Sequence, residues 1–281
     1  MIGVKENDNF KNRKELIASF LHSLSGFLAA YILIYFLSGI SVLYIAYDLD
    51  VPATLFVNTI DFGLNQLAKP LTSDIIVSVF MAQPVSSFIM AILAVFLFML
   101  LRPKKYWFQL FLLWIFIHGF NFSFGLVSED LLLKTGLFNV AVVMEIRQVM
   151  LILTIGISLF FLVKAGTLVG KLFYARIYQP TTQNNSQLKV FVYHFFLPWI
   201  TGSLIILMLS FQHNSLKDIL LRLSMFVSIF PIIFLKEVVQ KNPLGTKAPK
   251  LFVSIIALFL AFALAIVFAI MLKSGINLGI S

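Results

Sequence analysis

Residues 251–272 read LFVSIIALFLAFALAIVFAIML, a run of 22 residues without a charged side chain. An α-helix of this length rises about 33 Å at 1.5 Å per residue, which matches the hydrocarbon core of a bilayer. Apolar runs of 18 or more residues are typical of transmembrane helices. The run therefore predicts a helix that crosses a membrane, and similar runs recur along the chain.

The composition of the whole chain agrees with this interpretation. Of 281 residues, 60% are hydrophobic and 12% are charged, and the mean hydropathy is +0.98. Soluble domains carry about 25% charged residues. The formal charge of +9 does not indicate nucleic acid, because the basic residues lie between apolar runs rather than on one face. The lipid bilayer is the expected partner, other membrane subunits are open candidates, and no nucleic acid is expected.

The predicted fold is an all-α, polytopic transmembrane helix bundle with about seven crossings. The seven segments are 16–46, 75–101, 107–127, 139–164, 188–211, 216–235 and 251–272. They form one domain over residues 16–273, which follows a cytoplasmic tail at 1–15 and precedes a short external tail at 274–281. Alternating the connections between two sides places fifteen Lys and Arg residues on one side and six on the other. Because basic residues are retained in the cytoplasm, we expect the N-terminus inside and the C-terminus outside, in a plasma or inner membrane.

Two outer connections are predicted to carry short helices at the membrane surface. The first follows Asp50-Val51-Pro52, an acidic cap with proline in the first turn, and covers residues 53–67. The second begins at Ser128-Glu129-Asp130 and stops at Gly136. Both would lie with their apolar side in the lipid interface.

The third crossing carries the most suggestive polar residues at membrane depth. His118 lies about 16 Å from Trp107 along the helix, near the midplane, and Asn121 shares its face three residues later. Ser123 follows in the same segment. The functional interpretation is a histidine that handles protons, binds a metal or orients a substrate; the structural one is interhelical hydrogen bonding, which is common in bundles. The structural interpretation is favoured.

Glu145 and Arg147 can be placed in two ways. If Lys164 marks the inner boundary, Glu145 lies about 28 Å away, at the outer headgroups. If the fourth crossing begins near Leu137, Glu145 lies deeper and could approach His118 on the antiparallel neighbour. The first placement is favoured because a buried charged pair has a large desolvation cost.

Prolines mark two further candidate positions. Pro84 and Pro198 interrupt crossings, and the adjacent Gln83 and Trp199 are candidate binding residues, since kinked helices expose backbone carbonyls to cavities. Ser123 and Arg147 complete the candidate binding set. The sequence contains no cysteine, no His-Glu-x-x-His string and no phosphate-binding glycine loop. No metal ligand set is predicted, and no cofactor is indicated.

Two functions remain open from the sequence. The first is a non-enzymatic membrane component for transport, lipid handling or assembly of a membrane complex. The alternative is a membrane-embedded hydrolase whose candidate catalytic residues are His118, Asn121 and Glu145. General acid–base catalysis would require these groups to lie within hydrogen-bond reach of one another.

Overall fold

A computed structural model describes residues 2–63, 71–101, 106–177, 187–210, 216–235 and 250–279; side chains are described from residue 13, except those of residues 101, 176 and 187. Ten α-helices, a β-hairpin and three short π or 3-10 segments account for the regular structure of these ranges. The α-helices are α1 (Ile2–Asp48), α2 (Ser73–Leu101), α3 (Tyr106–Phe120), α4 (Leu126–Leu133), α5 (Leu137–Val143), α6 (Gln148–Arg176), α7 (Gln187–Phe191), α8 (Leu197–Leu209), α9 (Leu216–Ile229) and α10 (Leu251–Lys273).

Six helical spans within the described ranges are long and apolar enough to cross a membrane. They are Arg13–Asp48, Ser73–Leu100, Tyr106–Leu133, Gln148–Ala175, Leu188–Leu209 and Leu251–Lys273. The chain is therefore an all-helical, multi-pass membrane protein. The sixth predicted crossing, 216–235, is an α-helix of 14 residues followed by a 3-10 segment, Phe230–Phe234, and does not belong to this set.

The outward faces of the bundle are apolar. On α10, Phe252 and Phe259 are both 72% exposed, and on α2 and α6 most side chains of the spanning windows are not buried. Apolar surface of this extent is unfavourable in water but is the ordinary surface of a helix in lipid. The interior is filled by large aromatic side chains, among them Phe27 and Trp114, which are fully buried.

Contacts at both ends show that α1 and α10 run parallel. At one end, the Nδ1 atom of His22 and the hydroxyl oxygen of Ser254 are 2.7 Å apart. At the other end, Leu55, just beyond α1, pairs with Ile276, just beyond α10, through two backbone hydrogen bonds. We call this second end the hairpin end.

The connection after α1 is a β-hairpin, so the predicted surface helix at 53–67 is wrong for its described part. Strands β1 (Ala53–Leu55) and β2 (Ile60–Phe62) pair antiparallel; residues 64–67 lie outside the described residues. The Tyr35 hydroxyl of α1 is shared between the carbonyls of Phe56 and Thr59, at 2.8 and 3.1 Å. These long-range bonds, together with the pairing to Ile276, stabilise strands that are too short to form alone.

The third span continues beyond its predicted end at residue 127. After α3, a π-helical segment, Asn121–Gly125, leads directly into α4. Glu129 and Asp130 therefore lie inside the span, each 2% exposed, and the predicted surface helix at 128–136 is wrong. The helix ends only at Lys134, which adopts a left-handed conformation with φ of 57°.

The fourth predicted crossing, 139–164, has different bounds in the structure. Residues 137–143 form the separate helix α5, and α6 begins at Gln148. Between them, Glu145 adopts a positive φ of 53° in the turn. α6 then packs closely against α9, since a Cβ atom at Gly166 would overlap the carbonyl of Ser228.

Candidate functional site

Five charged side chains converge near the hairpin end from two helices. We call them the charged cluster: Glu129 and Asp130 on α4, and Lys217, Asp218 and Arg222 on α9. The four other than Lys217 are at most 6% exposed. Charged residues are rare inside membrane spans and occur where a substrate or ion is bound, or where they pair with one another.

Asp130 is the structural centre of this cluster. It forms an ion pair with Lys217, whose Nζ lies 2.7 Å from Oδ1. The same carboxylate accepts hydrogen bonds from the Thr135 hydroxyl at 2.7 Å and from the Leu137 backbone N–H at 3.0 Å. Asp130 therefore fastens the turn between α4 and α5 and holds the Lys217 side chain, which is 35% exposed.

A cavity of about 190 Å³ lies beside the cluster, under the hairpin. Its wall combines the hairpin, α1, α2 and α9 with residues of α4 and the turn after it. The polar side chains that line it are Tyr35, Asn58, Thr59, Gln83, Asp130, Lys217 and Asp218. At about 30 Å³ per water molecule, the volume equals about six waters, so the cavity suits a small polar occupant.

Arg222 lies further along α9 than Lys217 and Asp218. Its contacts, and those of the residue before it, join α9 to α1, to α8 and to the π segment after α3. Its guanidinium carbon stands 4.4 Å from the centre of the Tyr31 ring of α1, in a cation–π arrangement. Its backbone carbonyl accepts a hydrogen bond of 3.1 Å from the Trp199 Nε1 of α8. One residue earlier, the Leu221 carbonyl accepts a 2.8 Å bond from the Asn121 Nδ2. These contacts fix Arg222 although its Nε and Nη1 atoms make no hydrogen bond with described residues.

Glu129 is the least satisfied member of the cluster. Neither of its carboxylate oxygens has a hydrogen-bond partner among the described residues. Lys217 and Arg222 attract its charge, whereas Asp130 and Asp218 repel it. Buried polar atoms are nearly always paired, so an unpaired buried carboxyl indicates a functional role or an occupant.

His118 lies where the sequence predicts, near the middle of a span and fully buried. Its neighbours are rings: Phe27, Tyr31 and Trp114, with centroids 4.5 to 6.1 Å away. Neither ring nitrogen makes a hydrogen bond of good geometry with described residues. The Phe27 carbonyl lies close enough to interact electrostatically with the imidazole ring. His118 is connected to the charged cluster through Tyr31, against which Arg222 also packs.

Asn121 acts as an interhelical clamp. Besides donating to Leu221, it accepts a 2.8 Å hydrogen bond from the Ser224 hydroxyl through its Oδ1 atom. A side chain at Gly125 would collide with these atoms, and the glycine therefore permits the clamp to close. Ser123 lies buried in the same π segment.

The remaining predicted site residues separate into two groups. Glu145 and Arg147 are exposed in the turn before α6, and no described contact joins Glu145 to His118. Gln83 lines the cavity, and Trp199 holds the backbone of Arg222. The structure therefore brings Gln83 and Trp199 to the same region as the charged cluster and leaves Glu145 and Arg147 outside it.

A second buried polar network lies at the opposite end. His194 has both ring nitrogens engaged: Nδ1 donates to the Val190 carbonyl at 2.9 Å, and Nε2 accepts from the Tyr106 hydroxyl at 2.6 Å. The Ser23 hydroxyl donates to the His194 carbonyl and accepts from Trp114 Nε1. The bonds of His194 to Tyr106 and of Ser23 to His194 and Trp114 are interhelical hydrogen bonds, which stabilise bundles.

The sequence does not predict the charged cluster, because its members lie near the ends of predicted helices, where charged residues are ordinary. One signal was present. Asp218 and Arg222 are four residues apart, so opposite charges share one face of an otherwise apolar helix. Glu129 and Asp130 belong to the cluster because the helix continues through the π segment. No local sequence pattern predicts that continuation.

No group of three or more potential metal ligands occurs among the described residues. No protein family, curated protein or solved structure matches the chain.

Proposed function

We propose that this protein is a membrane transport protein that binds a small polar solute in the hairpin-end cavity. The observation that carries the proposal is the cavity itself, bounded by Asp130, Lys217 and Asp218 inside a multi-pass bundle. Charged groups within membrane spans typically mark pathways for ions or solutes. Burial of three acids and one base for packing alone would carry a large desolvation cost.

The chemistry of the cavity wall favours a solute that carries both charges. The Lys217 ammonium attracts a carboxylate or phosphate, and the Asp130 and Asp218 carboxylates attract an ammonium group. The Gln83 amide and the hydroxyl of Thr59 add neutral hydrogen-bonding groups. A zwitterion of a few heavy atoms fits both this polarity and the volume.

We further propose seven crossings, with the N-terminus in the cytoplasm and the hairpin end outside. The segment 216–234 supports the seventh crossing, because 14 α-helical and five 3-10 residues rise about 31 Å. The ion pair to Asp130 supports a start of α9 at the hairpin end. Lys and Arg then concentrate on the cytoplasmic side.

The alternative of a membrane-embedded hydrolase requires a hydrogen-bonded partner for His118. The aromatic surroundings of His118 and the exposed position of Glu145 give it no support. Lipid handling and complex assembly fit the membrane class, but a small polar cavity favours a solute over an acyl chain.

Ligand-induced stabilisation tests the proposed function. The purified protein is heated in detergent with each of a panel of small solutes: zwitterionic amino acids, organic cations, carboxylates and sugars. A ligand at 100 times its Kd adds about 2.7 kcal/mol to the stability of the folded state. We expect a zwitterion to raise the Tm of the wild type and to be taken up by proteoliposomes.

Two matched lysine variants supply the control. Lys217→Met removes a charge from the cavity wall, whereas Lys273→Met removes one from an exposed position at the end of α10. The stabilisation should disappear in Lys217→Met and persist in Lys273→Met. A panel without any stabilising solute, or equal stabilisation of both variants, would contradict the proposal.

A further inference from the structure

We propose that Glu129 is a proton-binding site that couples movement of the solute to the proton gradient. This inference rests on the proposed transport function and adds the coupling ion. It stands on three observations: the burial of Glu129, the missing partners of both its oxygens, and its position among the charges beside the cavity.

The charge balance of the cluster requires one more positive charge. With every group ionised, Glu129, Asp130 and Asp218 carry three negative charges, and Lys217 and Arg222 carry two positive ones. The net charge of one negative unit would be buried at membrane depth, where an uncompensated charge is strongly unfavourable. A proton on Glu129 neutralises the cluster.

Of the two carboxylates on α4, Glu129 can accept this proton at the smaller cost. Asp130 uses its carboxylate oxygens to accept the N–H of Leu137, the Thr135 hydroxyl and the Lys217 ammonium, and protonation would weaken these bonds. The oxygens of Glu129 make no such bonds with described residues.

The groups that face Glu129 from its neighbouring helices can be enumerated. From α9 they are Lys217, Asp218 and Arg222, and from its own helix Asp130. Neither α5 nor the π segment contains an ionisable residue, and the first in α6 is Lys164, about 24 Å along that helix. The charges that set the occupancy of the proton site therefore lie on α9 and, through Asp130, on α4 itself.

This arrangement connects the proton to the solute. Lys217 belongs both to the cavity wall and to the surroundings of Glu129. A bound carboxylate that draws the Lys217 ammonium toward the cavity weakens the attraction that favours ionised Glu129. Solute binding then promotes proton binding, and by thermodynamic reciprocity proton binding promotes solute binding.

Infrared difference spectroscopy on the full-length protein in lipid tests the proton site without knowledge of the solute. The bathing buffer is stepped between alkaline pH and about pH 6, above the range in which ordinary Asp and Glu side chains take up protons, and the carbonyl-stretch band of a protonated carboxylic acid is followed. We expect a band that appears on acidification in the wild type, is absent in Glu129→Gln and persists in Glu145→Gln, whose site is exposed. Absence of a titrating band in the wild type, or its persistence in Glu129→Gln, would overturn the proposal.

Isotope labelling keeps the test decisive if Glu129→Gln does not fold. Wild-type protein made with ¹³C-labelled glutamate should show the titrating band shifted to lower frequency, whereas a band from an aspartate would not move. A band that does not shift overturns the assignment. The outcome is independent of the solute panel. If the glutamate band is present but no solute stabilises the protein, only the proposed transport function is contradicted. If a solute stabilises the protein but the band is absent, only the proposed proton site is contradicted.

Discussion

Replacement of Asn121 by leucine should destabilise the bundle and loosen the segment that carries Arg222. The substitution removes the bond from Asn121 Nδ2 to the Leu221 carbonyl and the bond from the Ser224 hydroxyl to Asn121 Oδ1, each 2.8 Å long. Interhelical hydrogen bonds in membrane proteins contribute about 0.6 kcal/mol on average and up to about 1.7 kcal/mol. Two such bonds at a fully buried side chain give an expected loss of about 1–3 kcal/mol.

Unfolding in mixed micelles with increasing sodium dodecyl sulfate measures this loss. Tryptophan fluorescence is a suitable signal, since Trp199 contacts the same α9 segment. Asn139→Leu is the matched control, because Asn139 is exposed on α5 and should change stability by less than about 0.5 kcal/mol. A double-mutant cycle with Ser224→Ala should show a coupling of about 0.6–1.7 kcal/mol. Equal stability of Asn121→Leu and the control would refute the clamp.

Two further predictions concern the packing around the cavity. Asp130→Ala should cost about 3 kcal/mol in the same unfolding assay, because it removes a buried carboxylate that has three partners; a cost below about 0.5 kcal/mol, as at an ordinary surface position, would contradict this role. Gly166→Val should abolish recovery of folded protein, since its side chain would overlap the Ser228 carbonyl, whereas Gly156→Val, with open space around it, should be recovered at the wild-type level by size-exclusion chromatography. Equal recovery of both valine variants would show that α6 and α9 are not in close contact.

The membrane class could be predicted from the sequence because it depends on one local property. Runs such as residues 251–272 are apolar enough that the bilayer is their only favourable solvent. The residues at which such helices begin and end are harder to predict from the sequence. The π segment at 121–125 leads the third span beyond residue 127 as a continuous helix, and its first residue, Asn121, is bonded to α9.

The site could be predicted only where a polar residue interrupts an apolar run. His118 stands out in this way, Gln83 and Trp199 stand out because each adjoins a proline, and the structure places the last two beside the charged cluster. Glu129 and Arg222 do not stand out, because each lies near a predicted helix end, where charged residues are ordinary. Their burial results from tertiary packing of α4 against α9. The β-hairpin was missed for the same reason, since it depends on Tyr35 and on the distant Ile276.

Accessibility of two engineered cysteines tests the central claim most directly, and the native chain contains no cysteine to interfere. Gln83 lines the cavity about 15 Å along α2 from Ser73, and Val85, two residues further, is 48% exposed on the outward, apolar surface. A small charged methanethiosulfonate is added to the outside of intact cells or right-side-out vesicles. The account predicts that Gln83→Cys reacts and Val85→Cys does not, because the first faces a water-filled cavity and the second faces lipid. Reaction of Val85→Cys at the same rate, or of Gln83→Cys only from the cytoplasmic side, would contradict it.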